Sequence, residues 1–167
     1  MTKTIAIVGR SGSGKTTLIE KLIRELCDRG FKVGTVKHSH HDCEMDQQGK
    51  DSWRHKRAGA ERSILVSKEK MMIVANRETL PDPEELTGLY FNDLDLAIVE
   101  GFKTGNCPKI EVVRAERSKE VLSSKEEGLK AVVTDLDLEV DLPVFSLEEV
   151  EPLTDFIVEN FIEKKSK

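Results

Sequence analysis

The sequence predicts a three-layer α/β fold, a mostly parallel, doubly wound sheet carrying an antiparallel hairpin. Three observations predict it. Short β-branched apolar runs recur along the chain; the first ends in a glycine-rich turn that opens a helix-period segment; and a second run follows soon enough to close a βαβ unit.

The elements follow in order. Thr4-Ile5-Ala6-Ile7-Val8 reads as a buried parallel strand. From Lys15 to Arg29, the residues Leu18, Ile19, Leu22, Ile23 and Leu26 recur at helical spacing, and Gly30 is the stop. Lys32 to Lys37 is the second strand, and its crossover is long enough for parallel pairing. His38 to Gly49 is polar and aperiodic, the pattern of a functional or mobile loop. A helix is expected over Asp51 to Ala58, then two strands, Ser63 to Val66 and Met71 to Ala75, as the hairpin. Pro81 and Pro83 precede a short helix through Glu84, Leu86 and Leu89. Leu96 to Val99 is a buried strand ending at Glu100-Gly101, and further strands are expected at Ile110–Val113, Ala131–Val133 and Val144–Phe145. A last helix carries Val150, Leu153, Ile157 and Phe161 on one face.

The 167 residues suit one nucleotide-sized α/β domain over the whole of 1–167, with no repeat and no linker composition. No apolar run approaches the roughly 20 residues that span a bilayer, and no apolar leader follows Met1, so the expectation is a cytoplasmic protein away from membranes. Cys27, Cys43 and Cys107 are an odd number at wide spacing, so reduced thiols are expected. A net charge of -5 argues against nucleic acid as a partner while leaving room for a local cationic pocket.

Gly9-Arg10-Ser11-Gly12-Ser13-Gly14-Lys15-Thr16 matches G-x-x-x-x-G-K-[ST], between a strand and a helix as phosphate binding requires. The fold class sharpens to a P-loop NTPase, and a single nucleotide-binding domain. The candidate nucleotide-binding residues are Gly9, Ser11, Gly12, Ser13, Gly14, Lys15, Thr16 and Thr17. Backbone N–H groups and the helix dipole face the phosphates, Lys15 supplies charge to the β and γ phosphates as a catalytic residue, and the Thr16 hydroxyl is offered to Mg²⁺. The metal shell needs a carboxylate at a neighbouring strand end. Asp95 and Glu100 compete, but five residues of strand, about 17 Å, separate them and point them to opposite faces. Glu100 lies at the C-terminal end, where ligands collect in open parallel sheets, and is chosen.

The loop after the second strand, with His40, His41, Asp42, Cys43, Glu44 and Asp46, has three readings. It is a transition-metal site, a solvated loop, or a switch segment supplying Asp42 or Asp46 to the metal shell, and the third is favoured. Asp42 thereby becomes a metal and catalytic candidate. Lys50, Arg54 and Arg57 at i, i+4 and i+7 share a helix face, an anion-binding face or simply a solvated one.

Several blocks in this order resemble the molybdopterin-guanine dinucleotide biosynthesis protein B (MobB) family: Gly34-Thr35-Val36-Lys37-His38, His40-His41-Asp42, Gly49-Lys50-Asp51-Ser52-Trp53-Arg54, Ala58-Gly59-Ala60, Val99-Glu100-Gly101-Phe102-Lys103 and Pro108-Lys109-Ile110-Glu111. They span most of the first 114 residues, and the C-terminal third resembles the family only weakly. An aromatic expected near Cys43 and a proline expected near Gln48 are missing. The resemblance implies a homodimer binding GTP and Mg²⁺, weak as a GTPase, that assists guanine nucleotide attachment to molybdopterin beside a MobA-type nucleotidyltransferase. Molybdopterin is a candidate bound small molecule. Guanine selectivity has one candidate, Asp135 in Val132-Val133-Thr134-Asp135, whose carboxylate would accept from guanine N1 and N2; the alternative is a turn aspartate. Two other functions compete: a small-molecule kinase with Asp42 or Asp46 as base, and a dimeric module with nucleotide as a structural ligand. The edge of the Ser63–Ala75 hairpin is the candidate surface for pairing two subunits.

Overall fold

The structure is a computed structural model that describes residues 2–39, 45–79, 81–104 and 107–162. Its elements are β1 (Lys3–Val8), α1 (Lys15–Asp28), β2 (Val33–Lys37), α2 (Asp51–Arg57), β3 (Arg62–Val66), β4 (Met71–Ala75), α3 (Pro83–Tyr90), β5 (Leu96–Glu100), β6 (Lys109–Val113), β7 (Leu129–Thr134), β8 (Val144–Ser146) and α4 (Glu151–Phe161). Each expected element is present, with ends displaced by a residue or two. The chain divides into two compact units, Met1–His38 with Asp82–Lys167, and Ser39–Pro81.

The first unit is built on a six-stranded sheet in the order β2-β5-β1-β6-β7-β8, with every neighbouring pair parallel. Period-two alternation sorts its side chains. Ile5, Ile7, Leu96, Ile98, Ile110, Val112, Ala131 and Val133 join Leu18, Ile19, Leu22 and Leu26 of α1 and Leu153 and Ile157 of α4 in one buried cluster. Each of the Val, Leu and Ile side chains among them contributes about 1.5–3 kcal/mol on burial, an upper range, since an unfolded chain already hides some of this surface. Ala6, Val8 and Val99 point the other way, toward Phe102 and Cys107. α3 packs against β1 on that side, with Thr4 Oγ1 and Thr87 Oγ1 3.5 Å apart.

Beyond β1 this second face is covered by irregular chain rather than by a helix, and that explains a feature the apolar pattern hides. β6 begins at Lys109, a residue earlier than the apolar run, and both Lys109 and Glu111 are buried. The β6–β7 connection has backbone groups that a helix would have satisfied internally. Glu111 accepts the N–H groups of Leu122 at 2.9 Å and Ser123 at 2.8 Å, while Lys109 Nζ donates to the Glu127 carbonyl. Two charged side chains thus do the work of a missing helix.

In the second unit, β3 and β4 form a separate two-stranded antiparallel sheet with Ile64 opposite Ile73. The turn closes through Ser67 N–H to Lys70 O at 2.8 Å. The hairpin is therefore its own small sheet and adds no strand to the parallel one.

Candidate functional site

The strand order reverses direction at β1: the chain leaves it through α1 toward β2 on one side and returns through β6, β7 and β8 on the other. At such a point the loops diverge and leave a crevice beyond the carboxyl ends of the strands. Gly9, Ser11, Gly12, Ser13, Gly14, Lys15, Thr16 and Thr17 lie at this point, as one turn running into the first turn of α1. Gly9 has φ 137°, and a Cβ there would stand 2.4 Å from the Val112 carbonyl oxygen, so the loop can pass β6 only as glycine. Gly14 is the N-cap of α1, no side chain caps that end, and the acidic residues that would compete for it are absent from the first turn. Its amides and dipole are left to attract an anion. The Ser13 hydroxyl is buried without a protein partner inside the same loop.

Lys15 Nζ donates to the carbonyls of Gly9 at 3.1 Å and Arg10 at 2.8 Å, arching over the loop. Burial lowers its pKa, the Glu100 carboxylate pulls it back up, and Lys37 and Lys103 push it down again. An acidic protein thus keeps a cluster of cations at one end of its sheet.

Thr16 and Glu100 are brought together from positions 84 residues apart. The Thr16 hydroxyl lies 3.1 Å from both carboxylate oxygens, and Lys37 Nζ also reaches Glu100. β2 and β5 are paired in a register that sets Lys37 directly beside Glu100. Asp95, the competing carboxylate, sits at the opposite end of β5, where it accepts the Lys32 N–H at 2.8 Å. Among the described residues no three His, Cys, Asp or Glu side chains form a metal cluster. A hydroxyl and one carboxylate suit Mg²⁺, a hard cation that keeps several waters and draws its other ligands from phosphate.

Asp135 ends β7. Its Oδ1 accepts the Ala115 N–H at 2.8 Å and its Oδ2 lies 3.8 Å from Arg114 Nε, so the carboxylate braces the turn after β6. It stands at the same end of the sheet as the glycine-rich loop, two strands from β1.

The remaining candidates belong to the second unit or fall outside the described residues. Asp42, with His40 and His41, lies outside them. Asp46 accepts from Gln47 N–H at 2.7 Å and from the Ser52 hydroxyl at 3.1 Å, fastening the start of α2. Lys50 is the N-cap of α2, Arg54 is 3.9 Å from Asp51, and the Arg57 guanidinium lies over the Trp53 ring at 5.5 Å. Arg57 and Trp53 line a hollow of about 310 Å³ with Met45, Asp46, Lys56, Val74 and Asn76. The three basic residues therefore have different neighbours.

Sequence reasoning missed that Lys37 reaches Glu100 and that the Arg117 and Arg114 side chains lie beside Gly12 and Gly14. Only Lys37 left a signal, since opposite charges end two strands that must be neighbours.

The family model described as molybdopterin guanine dinucleotide synthesis protein B matches residues 4–135. Molybdopterin-guanine dinucleotide biosynthesis adapter proteins are similar to this chain: that of Haemophilus influenzae is 41% identical over 159 residues, covering 95% of this chain and 88% of its own. That of Escherichia coli is 38% identical over 168 residues, covering 95% and 93%. Among solved structures, Bacillus subtilis MobB superposes with a TM-score of 0.75 at 26% identity, covering 97% of this chain and 99% of its own.

Proposed function

This chain belongs to the molybdopterin guanine dinucleotide synthesis protein B family, and on that premise we propose that it is a GTP-binding adapter in molybdenum cofactor biosynthesis. The observation that carries the nucleotide part is the glycine-rich loop at the strand-order reversal, with Thr16 and Glu100 in hydrogen-bond contact beside it. Gly9, Ser11, Gly12, Ser13, Gly14, Lys15, Thr16 and Thr17 would hold the phosphates. Thr16 and Glu100 would hold Mg²⁺, with Asp42 as the further carboxylate, and the metal would neutralise charge on the phosphate oxygens. Lys15 would counter the charge that grows on the terminal phosphates during a slow hydrolysis. Asp135 would accept from guanine N1 and N2 with the lone pairs that Ala115 leaves over. Lys50, Arg54 and Arg57 remain the proposed anion-binding residues of the second unit, with molybdopterin as the bound small molecule.

The adapter reading implies a MobA-type nucleotidyltransferase as partner and a second copy of this chain. The hairpin supports the latter: Ile64, Leu65, Val66 and Met71 are each more than half exposed, on a two-stranded sheet of a kind that is marginal unless packed against something. Among the described residues no helix is long and apolar enough to cross a membrane.

Titration of GTP and ATP with Mg²⁺ against the protein and its Lys15→Ala and Asp135→Asn variants tests this reading. GTP is expected to bind more tightly than ATP, Lys15→Ala to abolish both, and Asp135→Asn to erase the preference. Equal affinities in the unaltered protein would remove the guanine assignment. Turnover above the slow range of unassisted GTPases, roughly 10⁻⁴ to 10⁻² per second, would replace the adapter with an enzyme.

A further inference from the structure

The turn after β6 brings two arginines to the glycine-rich loop. Arg114 directly follows β6, and the Arg117 N–H and Ser118 N–H both return to the Arg114 carbonyl, at 2.8 and 2.9 Å. This tight turn is fastened to β7 by Asp135 through the Ala115 N–H. So held, it lays the Arg117 guanidinium against Gly12. Arg117 Nε is 3.0 Å, and Cζ and Nη2 are 3.1 Å, from the point where a Gly12 Cβ would stand. Arg114 Nη1 is 3.6 Å from the corresponding point at Gly14. The two guanidiniums flank the stretch whose amides open toward phosphate.

Their surroundings differ. Arg114 has the Asp135 carboxylate at 3.8 Å, and its Nε is shut off from solvent. Arg117 is exposed, and among the described residues no carboxylate forms an ion pair with it. A guanidinium offers five N–H donors in a rigid plane that matches two oxygens of a phosphate, and it keeps its charge at any physiological pH. Only a glycine at position 12 leaves room for it there, and the exposed donors are held beside the loop whose amides attract an anion.

We infer that Arg117 is a phosphate-contacting residue of the nucleotide site, supplied by the same chain and aimed by the Asp135-braced turn. The inference rests on the nucleotide reading above and adds to Lys15 a second cation, against Gly12. Its ligand is the polyphosphate, whatever base the nucleotide carries.

The test measures binding of Mg·GTP and of magnesium tripolyphosphate by calorimetry, at two salt concentrations, for the unaltered protein, Lys15→Ala, Arg117→Ala and Arg117→Lys. Arg117→Ala is expected to weaken both ligands about tenfold or more, the scale of a lost charge-assisted hydrogen bond, and to flatten the salt dependence. Arg117→Lys is expected to restore part of the affinity, since it returns the charge without the fork. Unchanged thermal midpoints for these exposed substitutions separate binding from folding. If Arg117→Ala binds both ligands normally while Lys15→Ala binds neither, Arg117 has no phosphate role and the nucleotide site stands. A loss for GTP with tripolyphosphate unaffected also overturns the inference, by moving Arg117 to the base. An unaltered protein that binds neither ligand sinks the inference and the nucleotide reading together.

Discussion

β1 and the β3–β4 hairpin are built from the same kinds of residue and end in different surroundings. Ile5, Ala6, Ile7 and Val8 lie between buried strands and under helices, with essentially no surface left to solvent. Ile64, Leu65, Val66 and Met71 retain 58%, 53%, 68% and 64% of theirs. Intrinsic strand preference is satisfied in both, yet only β1 has a layer on each face. The difference teaches that an apolar run states a need for cover without saying what supplies it. For β1 the cover is the same chain, and for the hairpin the proposal is a second copy.

Four experiments break or sharpen that contrast. The largest effect is expected at the sheet's centre: Ile98→Ala leaves a void among β1, β5 and α1 and lowers stability by about 2–5 kcal/mol in denaturant unfolding, whereas Ile64→Ala at low protein concentration changes it by less than about 0.5 kcal/mol. Similar losses at both sites would erase the distinction. Next, Glu111→Ala removes the buried carboxylate that accepts the part-buried amides of Leu122 and Ser123 and is expected to cost about 1–3 kcal/mol. Hydrogen exchange at those two amides should rise with it, and unaltered protection would show that the carboxylate is dispensable.

The third concerns Cys107, whose thiol donates to the Thr4 carbonyl at 3.5 Å. Burial first, then Glu84, pushes its pKa up to about 12 from 9.0, against the pull of Lys109. Because the folded state holds the proton longer than the unfolded one, this contribution is intact below about pH 9 and is lost progressively as pH rises from there toward 12. Alkylation at pH 8 should mark the exposed Cys27 and spare Cys107; rapid labelling of Cys107 would show that the second face of the sheet opens. The smallest stability change is expected from Val66→Lys, within about 0.5 kcal/mol for a single copy, and its effect should appear as loss of dimer in sedimentation at micromolar concentration. A protein already monomeric there would remove the dimer proposal.

The fold was legible where information is local. β1, the glycine-rich loop and α1 announce themselves by run length, motif and period, and Glu100 follows from the rule about strand ends. What stayed hidden depends on contacts across long stretches of sequence. Lys109 and Glu111 look like surface residues because charge is ordinarily exposed, and only the absence of a helix over that face makes them interior. Arg117 carries no spacing signature, since its relation to Gly12 passes through the pairing of β1 with β6 and the turn beyond. Asp135 was legible as a candidate, but its grip on Ala115 was not.

The sharing of one carboxylate by Thr16 and Lys37 has a consequence for how this chain can vary over generations. Replacing Lys37 by a neutral residue takes from Glu100 the cation in direct contact with it, and replacing Glu100 leaves two lysines, Lys15 and Lys37, without their common counter-ion. Neither intermediate is comfortable, so positions 16, 37 and 100 are expected to drift as a unit or not at all. In a collection of diverged sequences, that linkage would appear as a correlated triplet spread over three separate stretches of the chain.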